Sequence, residues 1–528
     1  VNKQMDQVDV AIIGAGHNGL VAACYLAKAG LAVTIFEAAD QVGGAAISTE
    51  IFPGVPARLS KYSYLVSLLP EQIRVDLGMK LTTVKRSVSS FTPDPQQPDR
   101  GLVIPADNES ALRQQITNFT GNETDATAWV DFYARTARIA KKVFPTLTQP
   151  LISRDQMRAL IGNEDDWEDF FERPLGEVIE KSISNDVLRG IILTDALIGT
   201  FADAHGDDKR ANICFLYHVI GNGTGDWDVP VGGMGQVTGQ LDAIARGLGV
   251  QISLSTPVSW MRPSEGSVTI GTSMGEVTAT RVLVNAAPAV LAQLLGEPER
   301  EIPLPDGGAQ IKVNMLLKRL PRIRAGSSRE AFNGTFHINE SYEQLQRAFA
   351  IAVAGELPDL LPAEIYCHSL TDPSILSPEL QEQGVHTLTL FALHTPHELF
   401  SRNESPYTRE DAKKAVLKTL NSVLDESIED CLYQDASGKI CMEVNTTLDI
   451  EHSLGIPTGN IFHTPLDWPW AMESDQVGKW GVETTHRSVF LCGSGAARGG
   501  GVSGIPGHNA AHAILTGEIG YGGQGAQM

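Results

Sequence analysis

Gly14-Ala15-Gly16-His17-Asn18-Gly19 is the stretch whose residue types and spacing bear most directly on chemistry. In such a loop the first glycine permits a tight turn and the second lets backbone approach a pyrophosphate. The third lets a helix pack closely on a strand. A helix opening there aims free N–H groups at the phosphates. Glu37 lies eighteen residues beyond Gly19, where a carboxylate accepts hydrogen bonds from ribose hydroxyls and repels a 2′-phosphate. The loop alone is a weak signal, so its flanks matter. Val8–Ile13 reads as an apolar strand, Leu20–Ala29 as a helix ended by Gly30, and Leu31–Phe36 as a second strand closed by Glu37. This strand–turn–helix–strand order predicts a dinucleotide-binding unit.

A second glycine pair, Gly43-Gly44, follows within Asp40-Gln41-Val42-Gly43-Gly44-Ala45, and lets another backbone segment reach a cofactor beyond the first loop. The stretch resembles the FAD-binding amino-terminus of the phytoene-desaturase and amine-oxidase superfamily. Ile12-Ile13-Gly14-Ala15-Gly16-His17-Asn18-Gly19-Leu20 and Gly43-Gly44-Ala45-Ala46 look most like its phytoene-dehydrogenase-related and carotenoid-ketolase branch. Amine oxidases commonly carry Arg after the glycine pair, and Ala45 stands there instead. The resemblance implies an α/β fold: a Rossmann-type, glutathione-reductase-like FAD-binding domain (a ββα sandwich) with an inserted α+β substrate domain. It makes Gly14, Gly16, His17, Asn18, Gly19, Glu37, Gly43, Gly44 and Ala45 the expected first contacts of FAD.

Two further segments fit that expectation. Gly232-Gly233-Met234-Gly235 precedes a helix bearing Leu241, Ile244, Ala245 and Leu248 on one face, then a strand over Val250–Leu254 and hairpin-like strands around Ser267–Ile270. The run continues to Arg281–Pro288. By resemblance, Val258 meets the adenine and Ala286 also lies against the cofactor. Near the end, the apolar strand Ser488–Cys492 leads into Gly493-Ser494-Gly495, then Arg498-Gly499-Gly500-Gly501-Val502-Ser503-Gly504-Ile505-Pro506-Gly507-His508-Asn509 and a helix through Leu515. The positive end of that helix would stabilise negative charge on a reduced flavin. The family role of closing the flavin site falls on Gly493, Gly501, Val502, Gly504 and Gly507, with His508 assisting. The expected FAD-binding domain is therefore discontinuous, residues 1–60, 230–290 and 455–528. Residues 61–229 and 291–454 form the substrate domain, whose first insert is mostly helical. Amphipathic stretches at Asp125–Val143 and Pro174–Ile198 support the latter, and the second insert has strands at Ile311–Leu317 and His386–Leu393 and a helix over Thr408–Val423.

Catalytic candidates are fewer. Lys312 sits on the expected strand Gln310–Leu317; amine oxidases of the superfamily place a flavin-facing lysine on a comparable strand, and the competing reading is a surface lysine at a strand end. Arg498, in a buried glycine loop, calls for an anionic or carbonyl partner. His463 precedes Trp468, Trp470 and Trp480 in a segment that enters the flavin site of relatives, so these residues are candidates to line a substrate cavity, as are Arg58 and Tyr62. The acidic run Glu164–Asp169 reads as a solvated helix face.

Composition sets the outer limits. A formal net charge of -22 argues against nucleic-acid binding and against docking on anionic lipid. The six cysteines are scattered with no metal-type spacing, no metal is expected, and the Asn-x-Ser/Thr triplets such as that at Asn118 read as chance matches. No apolar run reaches the roughly 18 residues of a spanning helix. These features predict a cytoplasmic protein, at most peripheral to a membrane, with a glycine-rich, disordered tail from Gly517. The function expected is an FAD-dependent dehydrogenase or desaturase that moves hydride from a substrate carbon to flavin N5. Its partners would be a small apolar, isoprenoid-like substrate and oxygen, a quinone or another electron carrier. The alternatives are a flavin amine or amino-acid oxidase and a catalytically silent FAD-binding assembly protein.

Overall fold

The computed structural model describes residues 8–225, 227–298, 307–401 and 407–519. Val8–Ile13 is buried along most of its length, as befits a central parallel strand covered on both faces. On one side it pairs in parallel with Val33–Phe36, beyond which lies Gln251–Ser253. On the other it pairs in parallel with Gly275–Val284. The first part of that long strand continues into an antiparallel meander through Ser267–Thr272 and Val258–Ser264, while Val282–Val284 pair in parallel with Val489–Leu491. One sheet thus gathers strands from the start, middle and end of the chain. Helices His17–Lys28, Gly235–Gly247 and Ile505–Ile519 supply much of the apolar core on one of its faces, with Leu20, Leu26, Leu241 and Ile514 buried in it.

A second seven-stranded sheet runs in the order Met442–Asn445, Ile311–Leu317, His386–Ala392, Ala363–Tyr366, Thr335–Ile338, Val88–Pro93, Gly101–Pro105. All neighbours are antiparallel except Thr335–Ile338 with Val88–Pro93. Every residue of Ile311–Leu317 is buried, which explains its continuous run of large side chains. A Rossmann-like nucleotide-binding α/β domain with an additional α+β unit is therefore the fold, as the sequence implied.

The first insert is helical from Glu109 to Val219, but its strands Val88–Pro93 and Gly101–Pro105, absent from the sequence reading, join the second sheet. Helix Glu123–Val143 starts where Asn122 accepts from the Thr124 N–H and buries Ala126, Trp129, Phe132, Ile139 and Val143 along one stripe. Pro174–Ile198 is not one element: Leu175–Ser182 stops, and Asn185, extended and accepting from Val187 and Leu188 N–H, caps a new helix, Asp186–Thr194. The acidic run is also corrected. Asp166 and Asp169 are buried, and Arg135 bridges both at 2.7 and 2.8 Å while Arg138 reaches Asp166. Among the described residues no helix is long and apolar enough to cross a membrane. Most of the tail expected to be disordered, 520–528, lies outside the described residues, while 517–519 belong to the last helix.

Candidate functional site

The first glycine loop is held closed by backbone and by one wedge. Gly14, at φ 97°, bonds through its N–H to Phe36 O, and its carbonyl accepts from the Asn285 side chain at 3.2 Å. A Cβ on Gly16 would stand 2.9 Å from Asn285 Nδ2, and one on Gly19 would collide with Gly14 O. Helix His17–Lys28 begins at Gly16 with no side chain among the described residues capping it, the kind of helix start at which an anion can be held. The second glycine pair lies directly alongside: Gly43 N–H donates to Ala15 O at 2.9 Å, and a Cβ on Gly44 (φ 56°) would stand 3.3 Å from Gly16 Cα. Glu37, at the end of its strand, accepts from Ala15 N–H (2.6 Å) and Ala39 N–H (2.8 Å). Its own N–H donates to Ser253 O, and Thr256 N–H donates to Glu37 O. That ladder brings Val258 into the apolar cluster of Phe36 and Ala286.

The carboxy-terminal loop arrives at the same place. Gly493 sits against Ala286, where a Cβ would meet the Ala286 N at 3.1 Å. His17 Nε2 lies 3.2 Å from Gly501 O, and Gly507 packs on the Asn18 carbonyl so closely that a side chain would overlap it. Gly504 needs its left-handed φ of 72° to turn into the last helix, and Val502 is buried in the core of the nucleotide-binding sheet. Among the described residues, both polar atoms of the buried Asn18 side chain have no hydrogen-bond partner, nor has His463 Nδ1 or His508 Nε2. Burial holds His17, His463 and His508 near pKa 4, so all three are neutral at physiological pH. Fourteen of the sixteen expected cofactor contacts are thus tied into one junction by the bonds and packing just described. Ala45 joins it through the adjoining strap, where Ser63 Oγ donates to its carbonyl at 3.0 Å. Val258 stands at its edge.

Lys312 is not a surface lysine. It is 1% exposed, on the second strand of the second sheet, with Nζ 3.0 Å from Asn314 Oδ1 and 5.3 and 5.1 Å from the ring centres of Tyr64 and Phe391. Burial drives its pKa well below the ordinary lysine value, opposed only in part by the Glu443 carboxylate. Asn314 in turn donates to Lys61 O (3.0 Å) and Glu443 Oε2 (3.2 Å). The segment 61–64 then reaches the second glycine loop, with Lys61 N–H on Ile47 O and Ser63 on Ala45 O. Three hydrogen bonds thus lead from Lys312 through Asn314 and Lys61 to Ile47, just beyond the Gly43-Gly44 pair. Tyr64 closes an aromatic cluster with Tyr366 and Phe391 at 4.4 and 4.9 Å.

The other catalytic candidates fare differently. Arg498 is a clamp: its guanidinium donates to the carbonyls of Thr146 (3.0 Å), Gln149 and Trp480 (2.7 Å), fixing the glycine loop to the helical insert. The carbonyl partner expected of it is present, while its Nε has no hydrogen-bond partner among the described residues. His463, at φ 67°, lies beside Gly495 and close to His17. The tryptophans turn away. Trp468 and Trp470 stack on each other at 4.9 Å and pack on Phe171 and Trp167, while Trp480 stacks on His512. A cavity of about 110 Å³ is instead lined by their neighbours Phe462, Leu466 and Pro469, with Leu216, Tyr217 and Ala496. Arg58 is exposed and bonds Ser48 O, and the Tyr62 ring lies beside Lys61. Sequence reasoning missed Asn285, Tyr64 and Asn314; the one available signal for the last was the polar pair Lys312 and Asn314, two apart in an otherwise apolar strand.

Comparison with known proteins agrees with this geometry. Residues 19–439 match the family described as flavin containing amine oxidoreductase. An uncharacterized protein of Mycobacterium tuberculosis is 48% identical over 96% of this chain and 97% of its own length. Pyridine nucleotide-disulfide oxidoreductase domain-containing protein 2 of Rattus norvegicus is 29% identical over 96% and 93%. Among solved structures, a putrescine oxidase bound to putrescine superposes with a TM-score of 0.60 at 18% identity, over 98% of this chain and 99% of that one. The phytoene-related branch finds no specific support in these matches, whereas the wider superfamily does. The chain belongs to the flavin containing amine oxidoreductase family.

Proposed function

We propose that this protein is an FAD-dependent oxidoreductase that oxidises a carbon–nitrogen bond of a small organic amine, with oxygen as an acceptor of the electrons. This reverses the order suggested by Ala45. The observation that carries it is Lys312: a fully buried amine, its pKa lowered by burial, tethered through Asn314 and Lys61 to the glycine-pair loop.

The residues present fit FAD. The uncapped start of helix His17–Lys28 suits the pyrophosphate, Glu37 the ribose hydroxyls, and Val258 the adenine. The unpartnered Asn18 amide and His463 Nδ1 are buried polar groups that need a ligand. When bound, FAD supplies a two-electron acceptor for hydride leaving the substrate carbon. The remaining tasks fall to this chain. Lys312 Nζ, hydrogen-bonded to Asn314 and with burial favouring its uncharged form, holds a water or takes a proton near the reacting carbon. Tyr64 and Phe391 exclude bulk water from it. Neutral His17 and His463 add no positive charge to the cradle.

An apolar-substrate desaturase is the second reading, favoured by the apolar side of the cavity at Leu216, Phe462 and Leu466. An anaerobic absorbance screen separates them. Purified protein should be yellow, and primary or secondary amines should bleach it while polyenes do not. Bleaching by polyenes alone would overturn the proposal, and bleaching by no class would favour the assembly role.

A further inference from the structure

A second buried cluster lies in the same sheet. Cross-strand register places Lys312, Phe391, Glu364 and His337 opposite one another in one row across four strands. Directly paired residues share a face of the sheet, so His337 and Glu364 lie side by side. Asn339, at φ 56°, then turns the chain so that Glu340 folds back, and Glu340 Oε2 stands 3.3 Å from His337 Nδ1. Ligand-type atoms of His337, Glu340 and Glu364 all lie within 4.8 Å of one another, and the three residues are 4%, 0% and 2% exposed. Among the described residues, His337 Nδ1 and Glu340 Oε1 have no hydrogen-bond partner.

We propose that His337, Glu340 and Glu364 form a buried three-ligand binding site for one divalent transition-metal ion, Zn²⁺ being the ion the donor set suits. Bonds of about 2.0–2.1 Å in a tetrahedral site put neighbouring ligand atoms about 3.3 Å apart, the spacing found between His337 and Glu340. One imidazole and two carboxylates, with no thiolate, favour zinc over magnesium, calcium or copper(I). The charge count agrees. Glu340, Glu364 and the adjacent Asp195 are three potential anions, faced by the guanidinium of Arg86, which lies over Tyr366 and bonds Thr335. A divalent ion closes that balance, and a buried carboxylate without a counter-charge is costly. Burial keeps His337 neutral, near pKa 3, so that its lone pair is free, and pushes Glu364 up to about 8 and Glu340 well above its usual range. A metal would displace those protons. The carboxylates are already oriented: Thr194 Oγ1 donates to Glu340 (3.0 Å) and the Tyr366 hydroxyl to Glu364 (2.8 Å). Thr194 ends helix Asp186–Thr194, so the ion would pin the helical insert to the sheet.

The site does not depend on the flavin reading, and its test is read without turnover. The full-length, flavin-loaded chain is incubated with zinc chloride alone, passed over a desalting column, and assayed by elemental mass spectrometry. About one zinc per chain is expected in the wild type, and at least about tenfold less in Glu340→Gln/Glu364→Gln, which keeps its flavin absorbance. If the double variant does not fold, Glu364→Gln alone should lose zinc at least about tenfold faster to a chelator. Wild type without zinc, or a folded variant that keeps a full equivalent, overturns the site. Zinc binding by a protein that no amine reduces would leave it standing while removing the proposed function.

Discussion

The junction of the glycine loops and the sheet around Lys312 meet through residues 61–64, yet they are built from opposite materials. At the junction the contacts are backbone: Gly14 with Phe36, Gly43 with Ala15, Gly507 against Asn18. Side chains there are mostly absences, and the rule is that nothing larger than hydrogen fits. Around Lys312 the reverse holds. The strand geometry is ordinary, and what is unusual is the burial of polar groups, namely Lys312, Asn314, Glu364, His337 and Glu340, in a sheet core. The first region specifies a shape through the side chains it leaves out, while the second places polar groups that one substitution would remove.

That contrast can be broken most decisively at Lys312. Lys312→Met should lower the rate constant of substrate-dependent flavin reduction by about 100-fold or more, the usual scale for a lost proton-handling group. It should leave the melting temperature unchanged or higher, since a buried amine gives way to an apolar chain of similar length. Stopped-flow reduction beside a thermal melt reads both, and an unchanged rate would make the lysine a packing residue. Gly507→Val attacks the other region. Its side chain must push Asn18 away, an overpacking cost of about 1–3 kcal/mol, so FAD should be held on the order of tenfold to a hundredfold more weakly in equilibrium dialysis. Arg498→Lys should reduce the unfolding free energy in urea by about 2 kcal/mol, because one ammonium cannot serve three carbonyls. Flavin reduction should stay within about twofold once cofactor is saturating. A large kinetic loss there would return Arg498 to the reacting atoms.

The smallest effect concerns His394, buried at φ 53° beside Phe201 and Phe349, with its pKa depressed from 6.5 to about 3. Its folded pKa lies below the unfolded one, so its contribution to stability is complete above about pH 6.5 and is lost as pH falls toward 3. Asn tolerates the same left-handed backbone and does not titrate. The stability of wild type relative to His394→Asn should therefore fall by about 1 kcal/mol between pH 7 and pH 5.5, measured by denaturant titration at each pH. A flat difference would mean that the imidazole reaches water.

The same contrast explains what could be read from the sequence. Gly14, Gly16, Gly19, Gly493 and Gly507 announce themselves because a backbone that must touch something can tolerate only glycine, and Glu37 because it ends the strand that follows. Lys312 was visible only through a resemblance, because its burial is decided by the strands His386–Ala392 and Met442–Asn445, whose register partners Phe391 and Asn445 lie 79 and 133 residues further along the chain. Phe391 and Asn445 carry no mark of that pairing in their own neighbourhoods. The acidic run at Glu164–Asp169 misled for the same reason, since Arg135 and Arg138 belong to another helix. The tryptophans near His463 were placed by type alone, and stacking on Phe171 and Trp167 decided their direction.

The short stretch from Lys61 to Tyr64 has one more implication. It is fastened to Ala45 and Ile47 on one side and to Asn314 on the other, with Tyr64 lying over the Lys312 amine. A shift of the glycine-pair loop by an ångström is handed directly to the lysine. On the proposed function, the nucleotide cradle and the amine are then mechanically coupled, and a displacement of one would be felt at the other.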